Sequence, residues 1–106
     1  MITAIVIKKD NSYYSFECTG HSGYSRRGQD IVCSAVSILT TNTINSIEKF
    51  TDCDFSGDTA DGRLYWEFPD GCTHDCELLM DSMIMGLKAV SDEYGKKFLS
   101  LEIKEV

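Results

Sequence analysis

Two long segments with helical spacing of apolar residues most constrain the fold of this chain. They run from residue 30 to about residue 50 and from residue 73 to residue 94, where Gly95 favours helix termination. The apolar arc of the first segment consists of Ile31, Val32, Ala35, Val36, Ile38 and Leu39. The stripe of the second consists of Leu79, Met83, Leu87, Val90 and Tyr94. Each segment is therefore predicted to form a helix with one face against a core.

The remaining apolar residues predict strands. Residues 2–8 and 13–18 are rich in β-branched and aromatic types and flank a polar turn, and residues 63–68 and 99–104 alternate apolar with polar side chains. Between the helices, "CDFSGDTADG" supplies Gly and Asp for turns within a strand region. The order ββαββαβ predicts an α+β fold, a two-layer sandwich in which a mixed sheet of about five strands carries both helices on one face. A length of 106 residues fits a single domain, 1–106.

Charge and cysteine content narrow the class of protein. A net charge of -7 argues against direct binding of nucleic acid and favours a basic partner. Apolar runs fall short of the roughly 18 residues that span a bilayer, and the first residues do not resemble a secretory signal. We therefore expect a cytoplasmic protein without a membrane partner, whose five cysteines are reduced thiols.

Cys33 has the position expected of a reactive thiol. Helical phase places it about 140° from the centre of the apolar arc, on the same side as Asp30 and Ser37. Asp30 is well placed as the N-cap, which makes Cys33 the third helical residue. The positive end of the helix dipole there favours the thiolate over the thiol.

His21 is a candidate base for this thiolate. It begins a loop in which glycines permit unusual backbone angles and so allow the two side chains to meet. Backbone N–H groups at the helix start are then expected to bind the oxyanion. Asp30 has three open roles: accepting from helix N–H groups, orienting His21, or contacting substrate. Spacing alone also fits a loop histidine and a thiol that are unrelated.

A second group of thiols is a weaker candidate. Cys72, His74 and Cys76 have spacing that is not usual for zinc, and a fourth ligand has to come from elsewhere, for example Cys53. We expect no metal and no cofactor, with Cys76 packed at a helix start and His74 exposed in a loop. Cys18 and Cys53 are interpreted as buried or half-buried thiols.

The stretch "GHSGYSRRGQDIVCSAVS" resembles the signature of the bacterial ribosomal-processing cysteine protease family, Prp. Ser22 and Ser34 stand where alanine is more usual, and the similarity extends over nearly the whole chain. The matching positions are Gly20, His21, Gly28, Asp30, Ile31, Val32, Cys33, Ala35 and Ser37.

The resemblance implies a homodimeric cysteine endopeptidase with His21 and Cys33 as its dyad, which removes a short N-terminal extension from a basic large-subunit ribosomal protein precursor. Supporting or substrate-binding roles fall on Asp30, Gly20, Gly28 and Ser37. The flexible loop comprises Ser22, Gly23, Tyr24, Ser25, Arg26 and Arg27, a candidate flap over the substrate. Two other functions stay open: a non-catalytic ribosome-assembly or binding module, and a thiol redox sensor built on Cys33.

Overall fold

The computed structural model of the chain describes residues 1–20, 30–60 and 62–106. Its elements confirm the predicted order ββαββαβ. They are β1 (Ile2–Lys9), β2 (Ser12–Thr19), α1 (Ile31–Phe50), β3 (Ser56–Ala60), β4 (Arg63–Glu67), α2 (His74–Tyr94) and β5 (Leu99–Glu105). In the part of the chain that the structure describes, neither helix is both long enough and apolar enough to cross a membrane.

The five strands form one mixed sheet in the order β3-β4-β2-β1-β5. All neighbours are antiparallel except β1 and β5, which run parallel and pair Ile2 with Leu99. The β1–β2 hairpin turns at Asp10 and Asn11, whose φ angles are 51° and 66°. Two consecutive positive φ angles match the twist of the flanking strands, and Asp and Asn tolerate this conformation.

The two faces of the sheet differ in chemistry, as the strand pattern predicts. Towards the helices, Phe16 and Trp66 are fully buried, with ring centroids 4.7 Å apart. On the opposite side, Arg63 Nε lies 2.7 Å from Glu17 Oε2 in a pair that is partly exposed to solvent. The sheet therefore buries one apolar face beneath the helices and presents the other to water.

The buried face of α1 differs from the predicted arc. Ile31 is 47% exposed and Ile38 69% exposed, so placing both in the core was wrong. Threonine hydroxyls are buried instead, because each donates to a carbonyl one turn earlier, at 2.8 Å for Thr40 and 2.7 Å for Thr43. The buried face of α1 is therefore rotated relative to the predicted arc, and it continues to the end of the helix. Its buried residues are Val32, Val36, Thr40, Thr43 and Ile47.

Helix α2 begins and ends as predicted. Thr73 is its N-cap, Asp75 and Glu77 lie in the first turn, and Gly95 ends it with a φ of 112°. Its core face is centred slightly away from the predicted stripe, since Leu79 is only partly buried. The buried residues are Cys76, Met80, Met83, Ile84, Leu87 and Ser91.

The two helices approach closely where Gly86 meets Leu39. A Cβ added at Gly86 would lie 2.8 Å from Leu39 Cδ2. A side chain at this position would therefore require Leu39 to move, and glycine lets the two helices pack closely in one layer over the sheet.

The structure defines the two strands whose patterns were least regular. The strand region predicted between residues 53 and 62 forms β3, although all five of its side chains are exposed. Backbone pairing with β4 holds this strand, so apolar alternation was not there to predict it. In β5, Leu99 is buried but Ile103 is 44% exposed, so only the beginning of this strand contributes to the core.

Candidate active site

Asp30 fixes the start of α1. Its Oδ1 accepts hydrogen bonds of 3.0 Å from both Val32 N and Cys33 N, and its carbonyl oxygen accepts from Ser34 N at 3.1 Å. The carboxylate is buried, with 7% of the residue exposed. The prediction that Asp30 caps the helix is confirmed, and the cap places Cys33 at the third residue of α1.

This capping network bears on oxyanion binding. The N–H groups of Val32, Cys33 and Ser34 all donate to Asp30, so they are engaged within the helix start. We predicted that N–H groups at the helix start bind the oxyanion. These three N–H groups do not meet that prediction, because each already has an acceptor in Asp30.

Cys33 lies at the edge of the core. Its side chain is half-buried and packs against the buried cluster, although helical phase placed it far from the apolar arc. The difference follows from the rotation of α1, which turns Ile31 outward and brings the neighbouring face closer to the sheet. One turn later, Ser37 is exposed to solvent.

Cys18 is a neighbour of Cys33 that sequence reasoning missed. Burial, together with the nearby Cys33 sulfur, raises the pKa of the Cys18 thiol to about 11. The end of β2 therefore lies beside the first turn of α1. The period of two along β2 held the signal, since it puts Cys18 on the same face as the buried Phe16.

Gly20 defines the point where the chain leaves β2. Its φ is 93°, and a Cβ at this position would lie 2.4 Å from the carbonyl oxygen of Met1. Its N–H donates to Gly62 O at 3.0 Å, which fixes the backbone immediately before residue 21. Only glycine fits this conformation and this space.

The other predicted residues of the loop lie outside the described residues, and the structure makes no statement about their positions. They are His21, Ser22, Gly23, Tyr24, Ser25, Arg26, Arg27 and Gly28.

At the other end of α1, three sulfur atoms lie close together. The Sγ atoms of Cys53, Cys72 and Cys76 are all within 4.8 Å of one another. His74 is exposed at the first residue of α2, and within the described chain it lies outside this group. The loop position predicted for His74 was therefore wrong, and Cys53 joins the two cysteines in its place.

Comparison with known proteins agrees with this architecture. The family model for the cysteine protease Prp matches residues 1–98. The ribosomal processing cysteine protease Prp of Bacillus subtilis (strain 168) is 30% identical over 105 residues, which covers 89% of this chain and 90% of that protein.

Solved structures have the same fold. The crystal structure of an essential ribosomal processing protease Prp from S. aureus, in complex with a covalently linked product peptide, superposes with a TM-score of 0.92 at 23% identity and covers 98% of this chain and all of that one. A protein from Streptococcus mutans superposes with a TM-score of 0.80 at 29% identity, covering 100% of this chain and 96% of that one.

An α+β sandwich with a cysteine in the first turn of its first helix, matched by a protease family model over most of its length, is a cysteine protease. More specifically, the chain belongs to the Prp family of cysteine proteases.

Proposed function

We propose that the chain is a cysteine endopeptidase, formed by a single domain of residues 1–106, which removes the short N-terminal extension of a bacterial large-subunit ribosomal protein precursor. Cys33 is its nucleophile and His21 its base. The observation that carries the assignment of the nucleophile is the buried Asp30 cap, which holds Cys33 in the first turn of α1 in a chain of the Prp family.

The chemistry proceeds in two steps. His21 takes the proton of Cys33, and the thiolate sulfur attacks the peptide carbonyl carbon, so that a C–S bond forms and an oxyanion develops. Collapse of this intermediate breaks the C–N bond as the imidazolium of His21 protonates the leaving amine. Water, deprotonated by His21, then attacks the thioester and releases the acid product and the thiol.

The end of β2 supports a pairing of His21 with Cys33. Cys18 is near enough to Cys33 for that sulfur to raise its pKa, and Gly20 fixes the backbone two residues later. His21 follows directly, so the chain enters the loop beside the nucleophile. Three residues of extended chain span about 10 Å at most, so the three-residue step from Cys18 to His21 is a short one.

The acidic surface supports a basic substrate. With 17 acidic and 10 basic residues, the chain attracts a ribosomal protein precursor and repels nucleic acid. The curated relative in Bacillus subtilis is named for ribosomal processing, which agrees with this class of substrate. We place the reaction in the cytoplasm, where ribosomal proteins are made and thiols stay reduced.

Exposed apolar side chains support a homodimer. Ile38 and Met85 are 69% and 70% exposed, and each lies next to a residue of the contact between Leu39 and Gly86. Ile31 and Leu78, one heptad earlier in α1 and α2, are also exposed. Burial of such side chains against a second copy stabilises association, and sedimentation equilibrium measures it.

A cleavage assay tests the protease function. The protein is incubated with a peptide that carries the precursor extension, and the Cys33→Ser and His21→Ala variants are compared with His74→Ala. We expect both dyad variants to lose cleavage and His74→Ala, the only other histidine changed in the same way, to keep it. Undiminished cleavage by Cys33→Ser would contradict the proposal.

Two other results distinguish the remaining functions. Peptide binding without any product from the native protein identifies a binding module. Reversible oxidation of Cys33 that changes the affinity for a partner, again without product, identifies a redox sensor.

A further inference from the structure

Cys53, Cys72 and Cys76 form a compact group of thiols far from Cys33. Cys53 follows the end of α1, Cys72 precedes α2, and Cys76 is the third residue of α2. Because α1 has 20 residues, its two ends are about 30 Å apart at 1.5 Å per residue. The group is therefore separate from the proposed dyad and has no part in its mechanism.

Local hydrogen bonds hold the backbone at two of the three thiols. Cys53 N donates to Thr51 Oγ1 at 3.1 Å, and Thr51 itself donates to Ile47 O at 2.7 Å. At the other side, Cys76 N donates to Thr73 Oγ1 at 3.3 Å as part of the α2 cap. Two of the three thiols are thus held at helix ends, which lowers the entropic cost of arranging ligands around an ion.

The sulfur atoms are enclosed, yet one side is accessible. Cys53 and Cys76 are buried, at 8% and 0% exposure, and Cys72 is half-buried. The Cys53 thiol donates to Gly71 O at 3.6 Å, and the Sγ of Cys76 lies within 4.8 Å of both other sulfurs. An ion entering along Cys72 would meet three sulfur ligands and leave one position towards solvent.

The charge around the group favours a cation. Carboxylates at positions 52, 54, 70, 75 and 77 flank the three cysteines in the sequence. Coordination to a cation deprotonates a thiol outright, so the ion itself converts the three thiols into thiolate ligands.

We propose that Cys53, Cys72 and Cys76 bind one thiophilic divalent cation of the zinc class through three thiolates, with water in the fourth position. Binding forms three metal–sulfur bonds and releases three protons to solvent. Sulfur ligands select such an ion over Mg²⁺ or Ca²⁺, which prefer oxygen.

The distances in the group suit this ion after a small contraction. Tetrahedral zinc with Zn–S bonds of about 2.3 Å needs sulfur atoms about 3.8 Å apart. The observed separations, all within 4.8 Å, need to shrink by no more than about 1 Å. The bound ion would tie the segment after α1 to the start of α2 and stabilise the fold at the end opposite Cys33.

The test is carried out on the full chain in the Cys33→Ser background, so that the nucleophile cannot bind the metal. Reduced protein is titrated with Zn²⁺ alone and passed through a desalting column, and the metal that remains bound is counted. A parallel titration with Co²⁺ follows the thiolate-to-cobalt charge-transfer absorption. We expect one equivalent of metal and an absorption band of three thiolate ligands.

The half-buried Cys72 provides the informative variant, because Cys72→Ser disturbs packing least. It is expected to weaken Zn²⁺ binding more than about 100-fold, since even residues outside the ligand shell contribute 10–100-fold. His74→Ala, at an exposed position two residues further along the chain, is the matched control and is expected to bind as before. Circular dichroism of each variant establishes that it is folded.

Several results would overturn the proposal. They are loss of all metal on desalting of the folded protein, unchanged affinity in Cys72→Ser, and lost binding in His74→Ala. A disulfide between two of the three cysteines that forms in air and is unaffected by Zn²⁺ would make the group a redox pair instead.

Discussion

Both helices carry a cysteine at their third residue, Cys33 in α1 and Cys76 in α2, and both begin at a capping side chain. Asp30 accepts two N–H groups at 3.0 Å, and Thr73 accepts one at 3.3 Å. The helix dipole acts on both sulfurs in the same sense. Their surroundings differ, because Cys33 is half-buried near Cys18 whereas Cys76 is fully buried between two other thiols.

The comparison teaches that a helix start does not by itself activate a thiol. At Cys76, hydrogen bonding with Cys72 and burial raise the pKa in spite of the dipole. Solvent access and neighbouring groups therefore decide whether a cysteine at a helix start acts as a nucleophile or as a protected ligand. Both properties can be changed by mutation.

Replacing each cysteine by alanine gives the largest expected contrast. Cys33→Ala is expected to lower kcat/KM by more than about 1,000-fold, with little effect on the free energy of unfolding. Cys76→Ala is expected to lower the free energy of unfolding by about 1–2 kcal/mol, because it removes a buried sulfur from the core. Peptide cleavage and urea unfolding measure the two effects. If Cys76→Ala reduced cleavage as far as Cys33→Ala, the two helix starts would not differ in role.

Thiol labelling as a function of pH sharpens the contrast. With a pKa of about 11, Cys18 has a thiolate fraction of about 10⁻⁴ at pH 7, which rises about tenfold for each pH unit. We expect iodoacetamide to modify Cys33 first at neutral pH, and Cys53 and Cys76 last because they are buried. Mass spectrometry of the digested protein measures each rate. Equal rates at all five cysteines would remove the distinction.

Gly20, at the end of β2, and Gly71, shortly before α2, offer a second pair of variants. Gly20 and Gly71 have φ angles of 93° and 88°, but only at Gly20 would a Cβ meet backbone, 2.4 Å from Met1 O. Gly20→Ala is expected to cost about 3 kcal/mol and to lower cleavage, because it displaces the chain before His21; Gly71→Ala is expected to cost about 1 kcal/mol. Thermal unfolding compares them. Equal losses would mean that backbone conformation alone matters.

The caps are expected to give the smallest effects. Asp30→Ala should cost about 1 kcal/mol and Thr73→Ala about half of that, in line with their numbers of hydrogen bonds. Asp30→Asn keeps the acceptor and should keep the stability. Comparing the cleavage rates of the two Asp30 variants then shows whether the charge of Asp30 acts in catalysis. If neither variant is slower, Asp30 is a cap and nothing more.

Local signals in the sequence predicted most of the fold. The order of elements, the Asp30 cap and the stop at Gly95 all depend on residues within a few positions of one another. The family signature predicted the class of enzyme for the same reason, since its residues are contiguous from Gly20 to Ser37.

Properties set by tertiary packing were not predictable. The rotation of α1 buries Thr43 and exposes Ile38, and it depends on how the helices meet at Gly86. The sequence offered Cys53 as a possible partner of Cys72 and Cys76, but its place in the group instead of His74 depends on the packing of two helix ends about twenty residues apart. Strand β3 has no apolar pattern, because only its backbone takes part in the sheet.

The parallel pairing of β1 with β5 has a consequence for how the protein folds. Residues 2–8 pair with residues 99–105, so one side of a central strand stays open until the last strand arrives. Closing a loop of nearly the whole chain is entropically costly before any contact repays it, so we expect this pairing to form late in folding. Until then β1 presents unpaired N–H and C=O groups, and aggregation through that edge competes with the native docking of β5.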